Sequence, residues 1–406
     1  MRKIIVQKFG GTSVADTEKI KNVAKIVIKE KQNGNDVVVV VSAMGHTTDY
    51  LVKMAKDLCA TPSGREMDML LSTGEGVSIA LLAMAIQAQG YDAVSFNAMQ
   101  VGIMTENVHS KARIVDIKTE KLKENLKEGK IIVVAGFQGV TEDGEITTLG
   151  RGGSDTSAVA LAAALNAERC DIYTDVEGVY TTDPRVVPNA SRLDEISYEE
   201  MLELAHAGAN VLHPRSVETA KQFNVPMRVR SSFKLDNLGT LILGVEKMEI
   251  YKPVTGVAAD LSQTRIVVCD VPDKPGVAAK IFSRLAKENI SVDMIIQSYA
   301  RKVSNTNDIA FTIDSVDLNK TVEALEALKS EIGATGDIQV DENIAKVSIV
   351  GAGMIDRPGV ASAMFETLAE QNINIRMIST SEIKISCLVD IDLQMQKLHL
   401  HLQQGF

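Results

Sequence analysis

The chain of 406 residues contains no Trp, seven Tyr and nine Phe, so aromatic residues make up only 4% of it. Surfaces that recognise bases or sugars by ring stacking are not expected from such a composition. The four Cys (Cys59, Cys170, Cys269 and Cys387) are scattered without C-x-x-C spacing. That suits small buried hydrophobic residues better than a disulfide framework or a structural metal site. Positive charge is in deficit: 43 Lys and Arg against 53 Asp and Glu leave a net charge of −10. Binding a phosphate backbone needs a basic face, so nucleic acid is not an expected partner. Continuous apolar runs fall well short of the ~18 residues that a spanning helix needs, and no membrane partner is expected. Met1-Arg2-Lys3 leads straight into an apolar stretch with no secretory pattern, so the expected location is cytoplasmic.

What remains is an ordinary globular composition, 45% hydrophobic and 24% charged, in a chain long enough for two or three domains. Ile4 to Phe9 reads as an apolar strand that runs into Gly10-Gly11-Thr12-Ser13. Asp16 can cap a helix to about Gln32, with Ile20, Val23, Ile26 and Val27 on one face. Val37 to Val41 is too apolar for a half-exposed strand and suggests a central parallel strand covered on both faces. Strand and helix signals then alternate: strands at Ile131 to Ala135, Cys170 to Tyr173 and Val225 to Val229, helices at Ser157 to Leu165 and Tyr198 to His206. That order predicts a layered α/β domain with a mostly parallel sheet, ending near Leu243. Within it, Gly150-Arg151-Gly152-Gly153-Ser154-Asp155 opens onto an alanine-rich helix. Glycines allow close backbone approach, and a helix N-terminus offers N–H groups and positive potential, so this run favours an anion.

The C-terminal third repeats itself at a spacing of 83 residues. Asp273-Lys274-Pro275-Gly276-Val277-Ala278 matches Asp356-Arg357-Pro358-Gly359-Val360-Ala361, and 12 of the 23 positions from Asp273 to Ile295 are identical to their partners. Two copies of one small domain follow. Each copy reads strand, helix, strand, strand, helix, strand, with Pro275 and Pro358 suited to the first helical turn. Gly351-Ala352-Gly353 after the apolar Val347 to Val350 imitates a dinucleotide fingerprint, but Asp356 stands where the third glycine belongs, so no nucleotide site is expected there. His399 and His401 read as tail sequence.

Taken together, Lys8-Phe9-Gly10-Gly11-Thr12-Ser13, Ser42-Ala43-Met44-Gly45, Thr47-Thr48-Asp49, Ser72-Thr73-Gly74-Glu75, the Arg151 run and Thr174 to Arg185 closely resemble the motifs of the aspartate kinase family, in the family's order. The repeated halves resemble its two ACT regulatory domains. The resemblance implies an amino-acid-kinase αβα sandwich with a mostly parallel sheet, followed by two α+β (βαββαβ) ACT domains. The expected division is residues 1–244 for the catalytic domain, 245–264 for a connector adding a strand to the regulatory region, 265–342 for the first ACT domain and 343–406 for the second. The implied reaction moves the γ-phosphoryl group of ATP, accompanied by Mg2+, to the side-chain carboxylate of L-aspartate. It would be the first step toward lysine, threonine and methionine.

That reaction makes chemical sense of the residues. The acceptor carboxylate is already ionised near pH 7 and needs no general base. The task is to bring two anions together, so positioning and charge stabilisation dominate. Lys8 is the expected stabilising cation, with Asp155 orienting it. Phe9, Gly10, Gly11, Ser42, Ser154, Thr174, Asp175, Tyr180 and Arg185 resemble the nucleotide-binding set. Arg151 can grip a carboxylate in bidentate fashion and Glu75 can take the ammonium, with Thr47, Thr48, Asp49, Gly152, Gly153 and Ser154 completing the acceptor site. Arg230 or Lys234 could also reach phosphates, a choice the sequence leaves open. Mg2+ is expected on phosphate oxygens and water, so no protein ligand is assigned.

By the same resemblance, lysine, threonine or both bind between ACT units. Asp273, Lys274, Pro275, Gly276, Val277, Ala278, Ser291, Val292, Asp293 and Gln297 would contribute from the first copy, and Asn374, Ile375, Ser381 and Glu382 from the second. The expected assembly is a homodimer, or an α2β2 enzyme whose smaller subunit begins at an internal start near Met248. The Gln- and His-rich end from Leu393 to Phe406 departs from the family's pattern and puts the last helix in question. Two other readings stay open at this level: a kinase for glutamate or acetylglutamate, and a non-catalytic amino-acid sensor.

Overall fold

The computed structural model describes residues 2–244, 253–299, 301, 305–355 and 357–391. The chain divides into two compact units, the first holding residues 1–180, 191–206 and 210–249, the second residues 181–190, 207–209 and 250–406.

The first unit is organised by an eight-stranded sheet. Its strands are β1 (Ile4–Phe9), β2 (Asp36–Val41), β3 (Ala93–Phe96), β6 (Ile131–Ala135), β9 (Arg169–Thr174), β10 (Glu195–Ser197), β11 (Met227–Ser231) and β12 (Thr240–Leu243), in the order β10-β12-β11-β9-β1-β2-β6-β3. All pairs are parallel except β11 with β12. The five Val of β2 are fully buried between β1 and β6, as a strand covered on both faces requires. Helix α1 (Thr17–Gln32) starts where Asp16 accepts a hydrogen bond from the Lys19 N–H. Its Ile20, Val23 and Val27 pack with Phe9, Val37, Val39 and Val41 on one sheet face.

Helices α2 (Thr47–Leu58), α3 (Gly64–Leu71) and α4 (Thr73–Gln87) follow β2. Residues 64–87 run almost as one rod and are, by length and composition, apolar enough to cross a membrane. The core helix of a globular protein meets the same criterion. Here Ile79, Leu82, Ala83 and Ile86 of α4 belong to the core beside α1, and the buried polar groups Asp68 and Glu75 lie in the same rod. The short α5 (Ala98–Val101) flanks a second sheet of β4 (Ile103–Thr105), β5 (Ile114–Ile117), β7 (Gln138–Val140) and β8 (Ile146–Thr148), ordered β5-β4-β7-β8, while α6 (Glu120–Lys127) packs on β6 of the main sheet.

The other face of the main sheet carries α7 (Gly153–Ala164), α8 (Tyr198–His206) and α9 (Pro214–Phe223). Helix α7 begins four residues before the expected Ser157, because Gly152 in the left-handed region (φ 67°) turns the chain directly into it. Ser154 and Asp155 thus lie in the first helical turn rather than in a loop. Strand β11 begins at Met227, two residues later than expected, because Pro226 has no N–H for the ladder.

The second unit contains two four-stranded sheets. One repeat supplies β14 (Gln263–Pro272), α10 (Val277–Lys287), β15 (Val292–Gln297), β16 (Thr306–Asp314), α11 (Leu318–Ile332) and β17 (Ile338–Asp341), the full βαββαβ order in a sheet β15-β16-β14-β17. The other supplies β18 (Ile344–Val350), α12 (Val360–Glu370), β19 (Ile375–Thr380) and β20 (Lys384–Asp390). Its fourth strand is β13 (Gly256–Asp260), so the sheet runs β13-β18-β20-β19 and β13 takes the place that β17 holds in its sister. The expected last helix, from Leu393, lies outside the described residues, as does Met248.

Both repeat helices start one residue beyond a left-handed glycine, Gly276 (φ 92°) and Gly359 (φ 102°). Pro275 and Pro358 therefore sit in the preceding turn rather than in the first helical turn. Gly351 has a packing reason: a Cβ there would lie 2.2 Å from the Pro253 carbonyl oxygen. The fingerprint-like glycine thus serves a crossing of two backbones. The two sheets meet face to face through Val267, Met294 and Ala310 on one side and Ile344, Met377 and Leu388 on the other.

Candidate active site

Parallel strands end together, and the loops beyond their C-terminal ends gather the charged residues that the motifs predict. Alternation along β1 points Lys8 and Phe9 to opposite faces. Lys8 turns toward α7, where its Nζ lies 2.6 Å from Asp155 Oδ1, both side chains 12% exposed. Phe9 turns the other way, fully buried and stacked on Tyr173 with ring centroids 4.6 Å apart. The ring belongs to the core.

Beyond Phe9 the chain makes one turn of 3-10 helix, Gly11–Val14. A Cβ on Gly10 would sit 3.5 Å from the Lys8 ammonium, so the bare backbone lines the space beside that charge. A Cβ on Gly11 would lie 2.9 Å from the Ala43 oxygen and 3.0 Å from the Gly45 oxygen, which requires glycine where the β1 and β2 loops cross. Ser42, just past β2, donates to Ser154 Oγ at 3.0 Å. Helix α7 has no side-chain cap at its N-terminus, so the positive end of its dipole opens onto the same region.

Glu75, in the first turn of α4, is only 2% exposed. One carboxyl oxygen accepts the Ala43 N–H at 3.0 Å, while the other has no hydrogen-bond partner. Burial pushes its pKa from 4.5 up to about 7, partly offset by the backbone donors. Thr47 starts α2, its hydroxyl donating to the Met44 carbonyl, and its methyl faces Gly74. Thr48 follows it in the first turn, and Asp49 is exposed and paired with His46. Arg151 is exposed in the turn between Gly150 and Gly152.

At the end of β9, Thr174 donates to its neighbour Asp175, which is exposed. Tyr180 makes a backbone bridge with Arg192. Arg185 clusters in the second unit and is paired with Asp183 at 2.8 Å. Arg230 lies over the Tyr173 ring and bonds its hydroxyl and the Leu235 and Asn237 carbonyls, whereas Lys234 pairs with Glu177 at 2.5 Å on the surface. Lys8, Gly10, Gly11, Ser42, Ser154 and Asp155 are thus brought together, with Glu75 reaching the same loop through Ala43.

Sequence reasoning missed several supports. His213 packs against Gly152, where a Cβ would lie 2.2 Å from it, and burial lowers the pKa of its ring. Arg215 donates to the Leu149 and Ala112 carbonyls. Ser13 and Ser232 share a buried hydroxyl contact at 2.8 Å. Their residue types carry no pattern; the contacts arise from segments distant in sequence.

In the second unit a cavity of about 480 Å³ is lined by Pro272, Asp273, Lys274, Pro275, Gly276, Val277, Ala278 and Gln297, together with Asn307 and Ile309 from β16. Asn307 donates to Asp273. Ser291, Val292, Asp293, Asn374, Ile375, Ser381 and Glu382 do not line it. Asp293 instead pairs with the buried Lys346 at 2.5 Å.

Fold and site together define a phosphotransferase of the amino acid kinase class carrying ACT units. The amino acid kinase family pattern matches residues 3–231, and ACT domain patterns match 264–333 and 347–396. The chain is 55% identical over 403 residues to an aspartokinase of Bacillus sp. (strain MGA3), covering 99% of this chain and 97% of that one. E. coli aspartokinase III in complex with aspartate and ADP (R-state) superposes with a TM-score of 0.83 at 30% identity, over 100% of both chains. The same enzyme in complex with lysine and aspartate (T-state) gives 0.76, again at 30% identity, over 99% of both. The chain belongs to the amino acid kinase family, among its aspartokinases, and is a kinase.

Proposed function

We propose that the chain transfers the γ-phosphoryl group of ATP to the side-chain carboxylate of L-aspartate, giving 4-phospho-L-aspartate. The observation that carries this reading is the Lys8–Asp155 ion pair beside the Gly10-Gly11 backbone and the open N-terminus of α7. Asp155 holds the Lys8 ammonium where the phosphates pass between strand end and helix end, and the cation offsets charge on the transferred group. Ser42 and Ser154 supply hydroxyls there, with Thr174, Asp175, Tyr180 and Arg185 read as the nucleotide segment. Glu75 keeps one unpartnered oxygen for the ammonium of aspartate, and Arg151 meets a carboxylate. Mg2+ keeps several waters and binds phosphate oxygens readily, so it is read as carried on the triphosphate, whose charge it would screen. We read the domains as 1–244, a connector 245–264, 265–342 and 343–406, a reading supported by β13, which the connector contributes to the sheet of the second repeat.

Regulation by lysine, threonine or both is read onto the cavity at Asp273–Ala278. Asp273 can take an ammonium, and the turn before α10 can take a carboxylate. The lysine complex of the related E. coli enzyme supports lysine as one effector. Strands β15 and β19 end their sheets with Ile295 and Ile378 half-exposed, which supports pairing with a second copy, as a homodimer or with a subunit made from an internal start. The product would enter the route to lysine, threonine and methionine. The test is ADP release with aspartate, glutamate and acetylglutamate in turn, each with and without lysine and threonine. Turnover with aspartate alone among the acceptors, and inhibition by at least one effector, is expected; no turnover with aspartate refutes the reading.

A further inference from the structure

Asp68 in α3 is fully buried, yet among the described residues no Lys or Arg pairs with it. A buried carboxylate is costly unless donors surround it. Here they do: both oxygens accept the Ser110 N–H (2.9 and 3.1 Å), Oδ2 faces His109 Nδ1 at 2.9 Å, and Oδ1 accepts the Thr148 hydroxyl at 2.6 Å. These donors come from the loop after β4 and the end of β8, about 40 and 80 residues away in sequence.

The segment so held leads into Arg151. Thr148 precedes Leu149 and Gly150, and the Thr148 carbonyl accepts the Ala112 N–H at 3.0 Å. Ser110, itself left-handed (φ 69°), puts its carbonyl oxygen 2.9 Å from where a Cβ on Gly150 would be. From the other side Arg215 holds the Leu149 carbonyl at 2.7 Å, and His213 closes on Gly152. A non-glycine residue at positive φ persists where its surroundings over-determine it, as they do at Ser110, and the adjoining Gly150 and Gly152 take the same region freely.

Asp68 and Glu75 also share one rod. Ser72, which joins α3 to α4, keeps a helical backbone, so the two carboxylates stand close to two turns apart, on roughly the same side. One carboxylate anchors the Arg151 turn; the other offers its free oxygen to the ammonium. We propose that Asp68 is a positioning residue for the acceptor site: through Ser110 and Thr148 it sets the distance between Arg151 and Glu75, and with it the affinity for aspartate. The proposal rests on the reading of Arg151 and Glu75 as acceptor-binding groups. Holding the turn before substrate arrives removes an ordering cost from binding.

The test is steady-state ADP release by the full chain, with aspartate and ATP varied separately. Asp68→Asn keeps the shape but turns a donor toward donors. It is expected to raise the aspartate KM about tenfold or more, with the ATP KM within about twofold and kcat within about threefold. In the double variant Asp68→Asn/Arg151→Ala, the aspartate KM is expected to rise no further than in Arg151→Ala alone, since one acts through the other. An unchanged aspartate KM, an equal rise in both KM values, or additive effects would each overturn the proposal. If Asp68→Asn does not fold, Thr148→Val decides: a rise of about threefold in aspartate KM supports it and a wild-type value overturns it. Wild-type aspartate KM in both Arg151→Ala and Glu75→Gln would instead sink the acceptor-site reading itself.

Discussion

Replacing Glu75 with Gln should make the enzyme more stable and less able to bind aspartate, and the two effects should share one pH dependence. The native carboxyl titrates at about 7 against an ordinary 4.5, with burial as the leading cause. Between those values the folded chain keeps a proton that the unfolded chain has released, so stability falls as pH rises through the window. Above pH 7 the cost is complete, about 3 kcal/mol at about 1.4 kcal/mol per tenfold. The side chain is only 2% exposed, so water screens little of this. Glu75→Gln keeps the volume and the acceptor for Ala43 and removes the charge. For a domain of this size the gain corresponds to a Tm rise of up to about 6–12 °C at pH 8, falling to about a quarter of that at pH 5 and vanishing only below the ordinary carboxyl value. The measurement is the Tm difference between Glu75→Gln and wild type across pH 5–8, in which all other titrations cancel. Aspartate affinity of the wild type should weaken about tenfold from pH 8 to pH 6, as the ionised fraction drops to about a tenth. A Tm difference that stays flat with pH would refute the argument.

Lys8→Ala should lower kcat by at least about 100-fold while ADP binding weakens less, as measured by ADP release and calorimetry; wild-type turnover would remove Lys8 from the reaction. The same variant leaves the buried Asp155 without its cation and should cost about 3 kcal/mol or more in stability, read by urea unfolding. Gly11→Ala drives a methyl group into the Ala43 and Gly45 carbonyls and should raise the ATP KM by about tenfold or more, with a lowered Tm; wild-type values for both would show that the loops are free to separate.

Features encoded over a few neighbouring residues are legible in the chain itself. Five consecutive Val allow little but a strand covered on both faces, and Asp16 caps the helix it is expected to cap. The repeat, visible as identities 83 residues apart, becomes two sheets of matching order. The start of α7 escapes a local reading because a left-handed glycine makes a turn so tight that the helix needs no polar cap residue. The place of Phe9 escapes it too, because adjacency in a motif does not say which face of a strand a side chain takes. The helical rod of residues 64–87 does not stand out as a membrane-length segment because its apolar run is broken by charged residues, among them the buried Asp68 and Glu75.

Local residue order was enough to specify the class of fold, the repeat and the identities of the charged groups, since periodicity, glycine and backbone propensity act over a few residues. Only the tertiary structure decided that β13 from the connector completes the last sheet, that Lys8 meets Asp155, that Asp68 grips two remote loops and that Glu75 is dry enough to titrate near 7. Each of these depends on long-range packing that removes water and brings together residues tens to hundreds of positions apart. Desolvation and hydrogen-bond geometry follow from that packing and are written in no short stretch of the chain.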